Sequence, residues 1–289
     1  MVNRKLDNEI VQKPLIISSD AINKAFDNMR TDDRTLSFRD DRPDNWIYLD
    51  DWYYFKQVKN IAQLLNELIG QWIAGKLKAD SIAYKCVARL GSPGYEHFGL
   101  LSKNFKDLRT YHPSFFELDE SPIGMESLDL LHQYFKKEED FRKFVVQVLK
   151  MLCIDYYMNQ VDRTDPNVYL VRRSRSILLG KLFDYSEAFD LSKTKCYFYN
   201  YPYNKDWESN DSYLYGSCLI TMELPSALYK ETLKKFPEFG KCLNLLANLD
   251  LNECLNYIAK KYHLNIPQEV RDYYLSYAEK KEEQMRKII

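Results

Sequence analysis

Two aspartates and an asparagine within one short stretch carry the strongest chemical signal in this 289-residue sequence. Between Asp155 and Phe189 the chain reads DYYMNQVDRTDPNVYLVRRSRSILLGKLFDYSEAF, with Asp162, then Asn167 five residues on, then Asp184 after an apolar run. Side-chain oxygens of this kind are hard ligands suited to Mg²⁺ on phosphate oxygens, and a further carboxylate can orient a hydroxyl and accept its proton. Transfer of a phosphoryl group from a nucleotide asks for little more covalent chemistry than that. An Asp and an Asn at this spacing also suit surface turns, where both make local hydrogen bonds. The elements around them give this copy its weight.

Upstream, Phe144, Val145, Val148, Leu149 and Leu152 recur at three- and four-residue steps, which predicts one helix from Glu138 to about Asn159. Asp162 then follows a helix C-terminus. Downstream, Val168–Val171 and Ile177–Phe183 read as two strands around the charged turn Arg172–Arg175, and Asp184 emerges where the second strand stops. Pro166 fixes its own φ and biases Asp165 towards extended geometry, so Asn167 is held at a set angle to Asp162.

This stretch resembles the catalytic core of HipA-like kinases, a branch of the protein-kinase-like fold that includes bacterial serine/threonine toxin kinases. The family carries an Asp-Arg-His-x-x-Asn loop and a later metal-binding Asp. Here the loop reads Asp162-Arg163-Thr164-Asp165-Pro166-Asn167, with Thr164 where the family has His. The resemblance implies an α+β, bilobal architecture: a small sheet-bearing N-lobe over residues 1–105 and a larger, mostly helical C-lobe over 106–289. It implies Asp162 as catalytic base, Asn167 and Asp184 as Mg²⁺ ligands, and ATP as phosphoryl donor, with Ser or Thr of a protein as acceptor. A small alcohol, sugar or lipid headgroup is the alternative acceptor, and a pseudokinase that binds a partner is the alternative of a different class. An antitoxin-like or other regulatory protein is the partner that the family suggests.

The rest of the N-lobe supplies further candidates. Trp46–Leu49 and Trp52–Val58 read as a hairpin, with Lys56 alternating with Tyr54 and Val58 on one face. A lysine on an apolar strand buries its stem and directs its ammonium to an anion or to water. In the family that anion is a nucleotide phosphate, and the plainer reading is a lysine reaching the sheet edge. A helix from Ile61 to about Lys78 follows, and the family points to Glu67 on it as partner of the strand lysine. Its apolar stripe of Leu64, Leu65, Leu68, Ile69, Trp72 and Ile73 argues instead that Glu67 faces solvent. Ser81–Leu90 and Tyr95–Leu101 form a second expected hairpin. By resemblance, the backbone from Leu101 to Lys103 meets an adenine. Phosphate-cradling loops use glycine for close backbone approach, yet no glycine precedes Gly70, and Ser37-Phe38-Arg39 is the only stand-in.

Composition narrows the remaining classes. A net charge of -1 gives no field for bulk nucleic-acid binding, so direct nucleic-acid contact is not expected. No apolar run approaches the roughly 20 residues of a membrane span, and MVNRKLDNEI has no signal-peptide core, so a cytoplasmic protein away from membranes is expected. Six scattered cysteines without a CxxC pair read as reduced thiols. His97 and His112 stand alone, without metal-ligand spacing, and Arg172, Arg173 and Arg175 read first as a solvated hairpin tip. Further helices are expected over Met125–Phe135, Leu224–Phe236, Lys241–Tyr262 and Gln268–Ile288.

Overall fold

The computed structural model describes residues 4–18, 21, 46–91, 97–103, 110–111, 132–160, 170–173, 176–186, 188–189, 213–216, 222–225 and 232–289. The aromatic and β-branched segments of the first third form a five-stranded sheet from β1 (Leu15–Ile17), β2 (Trp46–Tyr48), β3 (Trp52–Gln57), β4 (Tyr84–Leu90) and β5 (His97–Lys103). The strand order is β1-β4-β5-β3-β2, with β1 parallel to β4 and the other pairs antiparallel. The side-chain period of two then sorts each strand between two faces. Tyr53, Phe55 and Leu101 join Ile17, Ile47, Ala88 and Leu90 in a small core on one face. Lys56 stands opposite Leu100 and shares the other face with Val87 and Tyr84.

That second face is covered by α1 (Ile61–Lys76). Asn60 caps the helix by accepting from Gln63 N–H at 2.9 Å. Every residue from Leu64 to Gly70 is buried, so the middle of α1 is enclosed on all sides. The C-terminal half contributes α2 (Glu138–Met158), α3 (Pro237–Ala247), α4 (Leu251–Tyr262) and α5 (Gln268–Ile288); the other flanks of α1 meet α2, α4 and α5, and α3 packs on α2 and α5. Helix α2 opens on Glu138, Glu139 and Asp140, whose charges complement the helix dipole, and it closes on Asn159 in the left-handed region, φ 52°. Two smaller sheets flank these helices. One pairs β6 (Thr110–Tyr111), β7 (Leu170–Arg173) and β8 (Ser176–Leu179), and the other pairs β9 (Tyr213–Gly216) with β10 (Met222–Pro225). Among the described residues, no helix is long and apolar enough to cross a membrane.

Three expectations about elements change. The helix expected over Lys241–Tyr262 is two helices, because Asp250 caps a new one by accepting from Glu253 N–H at 2.9 Å. The start of the helix expected over Leu224–Phe236 is strand, since Met222–Pro225 pairs with Tyr213–Gly216. Arg172 and Arg173, expected in a turn, are ladder residues opposite Ile177 and Ser176.

The N-terminal segment also ties the two halves together. Arg4 C=O accepts from Ile61 N–H at the start of α1, while Val11 bridges to Leu264 and Asn265 N–H donates to Ile10 C=O. The larger apolar core accordingly runs without a break from β4, β5 and α1 through α2 to α5, and the small cluster on the far face of the sheet stands apart from it.

Gly70 shows how tightly α1 is packed. A Cβ at position 70 would overlap the ring of Tyr185, which is itself buried. Gly70→Ala is therefore expected to cost about 1–3 kcal/mol through overpacking, despite the better helix propensity of alanine. A urea denaturation midpoint equal to that of the wild type would show that the contact does not constrain the helix.

Candidate active site

Three side chains from three separate elements meet between the large sheet and the C-terminal half. Lys56 from β3 places its Nζ 2.6 Å from Glu67 Oε1 on α1 and 2.5 Å from Asp184 Oδ1 on the chain after β8. The Lys56 side chain is 13% exposed, Glu67 0% and Asp184 26%, so Glu67 is sealed off and the group is most open to solvent at Asp184. Burial alone would push the Lys56 ammonium down. Asp184 and then Glu67 outweigh it and hold the group well above the ordinary lysine range, so Lys56 stays charged. Complete burial pushes the Glu67 carboxyl up, against the pull of Lys56.

Glu67 can be buried because its oxygens are occupied. Oε2 accepts the Tyr84 hydroxyl at 2.8 Å, and Oε1 accepts Tyr185 N–H at 2.9 Å in addition to Lys56. The apolar stripe of α1 had argued for a solvated Glu67, and this is corrected. Periodicity identifies the face towards one neighbouring layer, whereas α1 is packed on all sides and its nominally polar face lies against Tyr84 and Tyr185.

Asp184 sits in the left-handed region, φ 58°, a conformation that a non-glycine residue adopts at a cost of about 1–3 kcal/mol unless its surroundings enforce it. Here they do. Gln160 Nε2, just beyond α2, donates to Asp184 C=O at 2.5 Å, and Ser186 Oγ donates to Asp184 Oδ1 at 2.9 Å. Phe189 N–H returns to Met158 C=O at 2.6 Å, fastening the far end of the turn to the last residue of α2.

The other expected site residues divide into two groups. Asp162, Asn167 and Ser37–Arg39 lie outside the described residues. Leu101 and Lys103 are described and are not brought to the Lys56 group. Leu101 is buried inside β5 between Phe55 and Cys86, with its side chain on the sheet face opposite Lys56. Lys103 ends the strand, and its ammonium pairs with Asp51 at 3.1 Å in solvent. His97 is exposed beside Gln57. Among the described residues, no group of three or more His, Cys, Asp or Glu side chains could hold a metal ion. Asp184 is the described candidate ligand, and a partly exposed carboxylate held in one orientation is a donor that fits Mg²⁺.

Tyr84, Gln160 and the backbone N–H of Tyr185 were not anticipated. No local pattern marks Tyr84 or Gln160. The phenol lies in an ordinary strand, and its role depends on the alignment of β4 with α1.

No family model and no curated protein matches the sequence. Among solved structures, the HipA chain of a Shewanella oneidensis toxin–antitoxin complex with HipB and operator DNA is similar at 8% identity and a TM-score of 0.52. The match covers 84% of this chain and 62% of that one. The chain has a HipA-like kinase fold. A Helicobacter pylori proinflammatory kinase, CtkA, is also similar over 84% of this chain and 87% of its own, at 12% identity and a TM-score of 0.49. In this chain β3, α1 and the segment after β8 come together, and Lys56, Glu67 and Asp184 occupy that junction.

Removing the cation tests whether this group stabilises the fold as well as filling a cleft. Lys56→Met leaves Glu67 wholly buried without its charge partner and is expected to destabilise the protein by about 3–5 kcal/mol, read by chemical denaturation. A loss below about 1 kcal/mol would mean that Glu67 finds water or another cation.

Proposed function

We propose that this chain is an ATP- and Mg²⁺-dependent phosphotransferase, with Ser or Thr of a protein as acceptor. The observation that carries the reading is the junction of Lys56, Glu67 and Asp184, assembled from three elements within a HipA-like kinase fold. An ammonium between two carboxylates, partly open on one side, can be handed from Asp184 to a phosphate oxygen while Glu67 keeps it in place.

In this reading Lys56 steadies the α- and β-phosphates and Glu67 holds Lys56. Asp184 and Asn167 hold Mg²⁺, which when bound neutralises charge developing on the phosphates. Asp162 accepts the proton of the attacking hydroxyl as that oxygen bonds to the γ-phosphorus, while the bond from the γ-phosphorus to the β–γ bridging oxygen breaks and ADP leaves with its electron pair. The adenine is met by backbone groups from Leu101 to Lys103, where β5 ends. A regulatory protein partner belongs to the proposal because the Shewanella HipA was solved with HipB. The pseudokinase alternative loses one of its motives, because Glu67 is paired with Lys56 rather than solvated.

Melting temperature with and without nucleotide provides the first test. ATP with Mg²⁺ at about 100 times its Kd is expected to stabilise the wild type by about 2.7 kcal/mol. Asp184→Ala should abolish the metal-dependent part of that shift. Asp162→Asn should retain fold and binding while lowering phosphoryl transfer to a protein acceptor by orders of magnitude. A wild type that shows no shift at millimolar ATP and Mg²⁺ overturns the proposal.

A further inference from the structure

One buried polar residue beside this site has a hydrogen-bond pattern that packing alone does not require. Asn66 precedes Glu67 on α1 and is 3% exposed. Its Nδ2 donates to Ser186 C=O at 3.0 Å and to Ala188 C=O at 2.7 Å, and its Oδ1 accepts the Tyr274 hydroxyl at 2.6 Å. The two carbonyls can only accept, which fixes the orientation of the amide. An amide side chain is the group that offers two donors and an acceptor here. An aspartate could not donate, and a leucine would take the donor away from both carbonyls and leave the Tyr274 phenol with only its longer bond to Ala62 C=O at 3.3 Å.

The segment gripped in this way begins at Asp184 and ends at Phe189, both at positive φ, 58° and 59°. Glu67 holds its front through Tyr185 N–H, and Asn66 holds its middle from the next position of the same helix. On the far side, Tyr274 from α5 braces Asn66, and Tyr273 donates its hydroxyl to Phe189 C=O at 2.6 Å. The turn carries a backbone bond of its own, Ala188 N–H to Tyr185 C=O at 3.0 Å, and the Asn66 and Tyr273 contacts brace it from outside.

We infer that Asn66 is a positioning residue for Asp184: by clamping the carbonyls of Ser186 and Ala188 it sets the direction of the carboxylate proposed to hold Mg²⁺, with Tyr274 as its brace. This rests on the phosphotransfer reading of the site. Asn66 touches neither the nucleotide nor the metal in this scheme and acts through the turn.

The test compares wild type, Asn66→Ala and Tyr274→Phe by nucleotide binding titrated with Mg²⁺ and by hydrogen exchange of the amides between Tyr185 and Phe189. For Asn66→Ala, the Mg²⁺ concentration at half-maximal nucleotide binding should rise by about tenfold to a hundredfold, the range found when partners that orient a metal ligand are removed. Metal-free nucleotide binding should be unchanged and the turn amides should exchange faster. Tyr274→Phe, which removes one oxygen, should move both readouts in the same direction by less, and it carries the test if Asn66→Ala does not fold. Faster exchange or a lower melting temperature with an unmoved Mg²⁺ midpoint overturns the inference and leaves Asn66 as a packing residue. A wild type that binds no nucleotide at any Mg²⁺ concentration overturns the phosphotransfer reading and, with it, the role given to Asp184.

Discussion

A single ammonium, Lys56, lies between the carboxylates of Glu67 and Asp184, and the architecture around it follows from the cost of keeping those charges out of water. A wholly buried carboxylate is tolerated only when it is paired and hydrogen-bonded. Glu67 therefore needs β3 for the cation, β4 for the Tyr84 hydroxyl and the turn after Asp184 for an amide. Misplacing any one of these elements would strand a charge. The electrostatic requirement thus fixes the sheet, α1 and the turn after Asp184 relative to one another, in addition to the apolar core that they share.

Tyrosine hydroxyls perform much of the remaining fastening. Tyr84 reaches Glu67, Tyr262 reaches Tyr84 C=O, Tyr273 reaches Phe189 C=O, Tyr274 reaches Asn66 and Tyr277 reaches Tyr157 C=O. Each phenol buries an apolar ring and delivers a donor at its far end, so one residue type both fills the core and satisfies a polar group inside it. The 23 tyrosines of the sequence have in these five a structural use. The last helix owes its place to the same device, because Tyr273, Tyr274 and Tyr277 lie within about one turn of one another and face the segment around Phe189.

Helix α1 is held more firmly than a helix resting on the sheet alone. The N-terminal segment grips its first turn through Arg4 and Lys5, Tyr185 packs against Gly70, and Lys76 pairs with Glu253 of α4 at 3.1 Å. Because the apolar core passes through α1 without interruption, moving the helix would open contacts in both halves of the molecule at once.

The sequence by itself determined the elements whose signals are local. The strands around Lys56 and the helices Ile61–Lys76, Glu138–Met158 and Gln268–Ile288 follow from alternation and 3.6-residue periodicity carried by neighbouring residues, and Lys56 and Asp184 became candidates through their residue chemistry together with the family resemblance. The cap at Asp250, which accepts from Glu253 N–H, marks a helix start that the reading by apolar periodicity ran through and missed. Only the tertiary structure decided the fate of Glu67, Asn66 and Tyr84. Their partners lie between 11 and more than 200 residues away in the chain, from Lys56 with Glu67 to Tyr274 with Asn66. No periodicity within a single helix reports which of its faces a second layer will cover. Whether a polar side chain is solvated or clamped depends on that layer, and the layer exists only once the chain has folded.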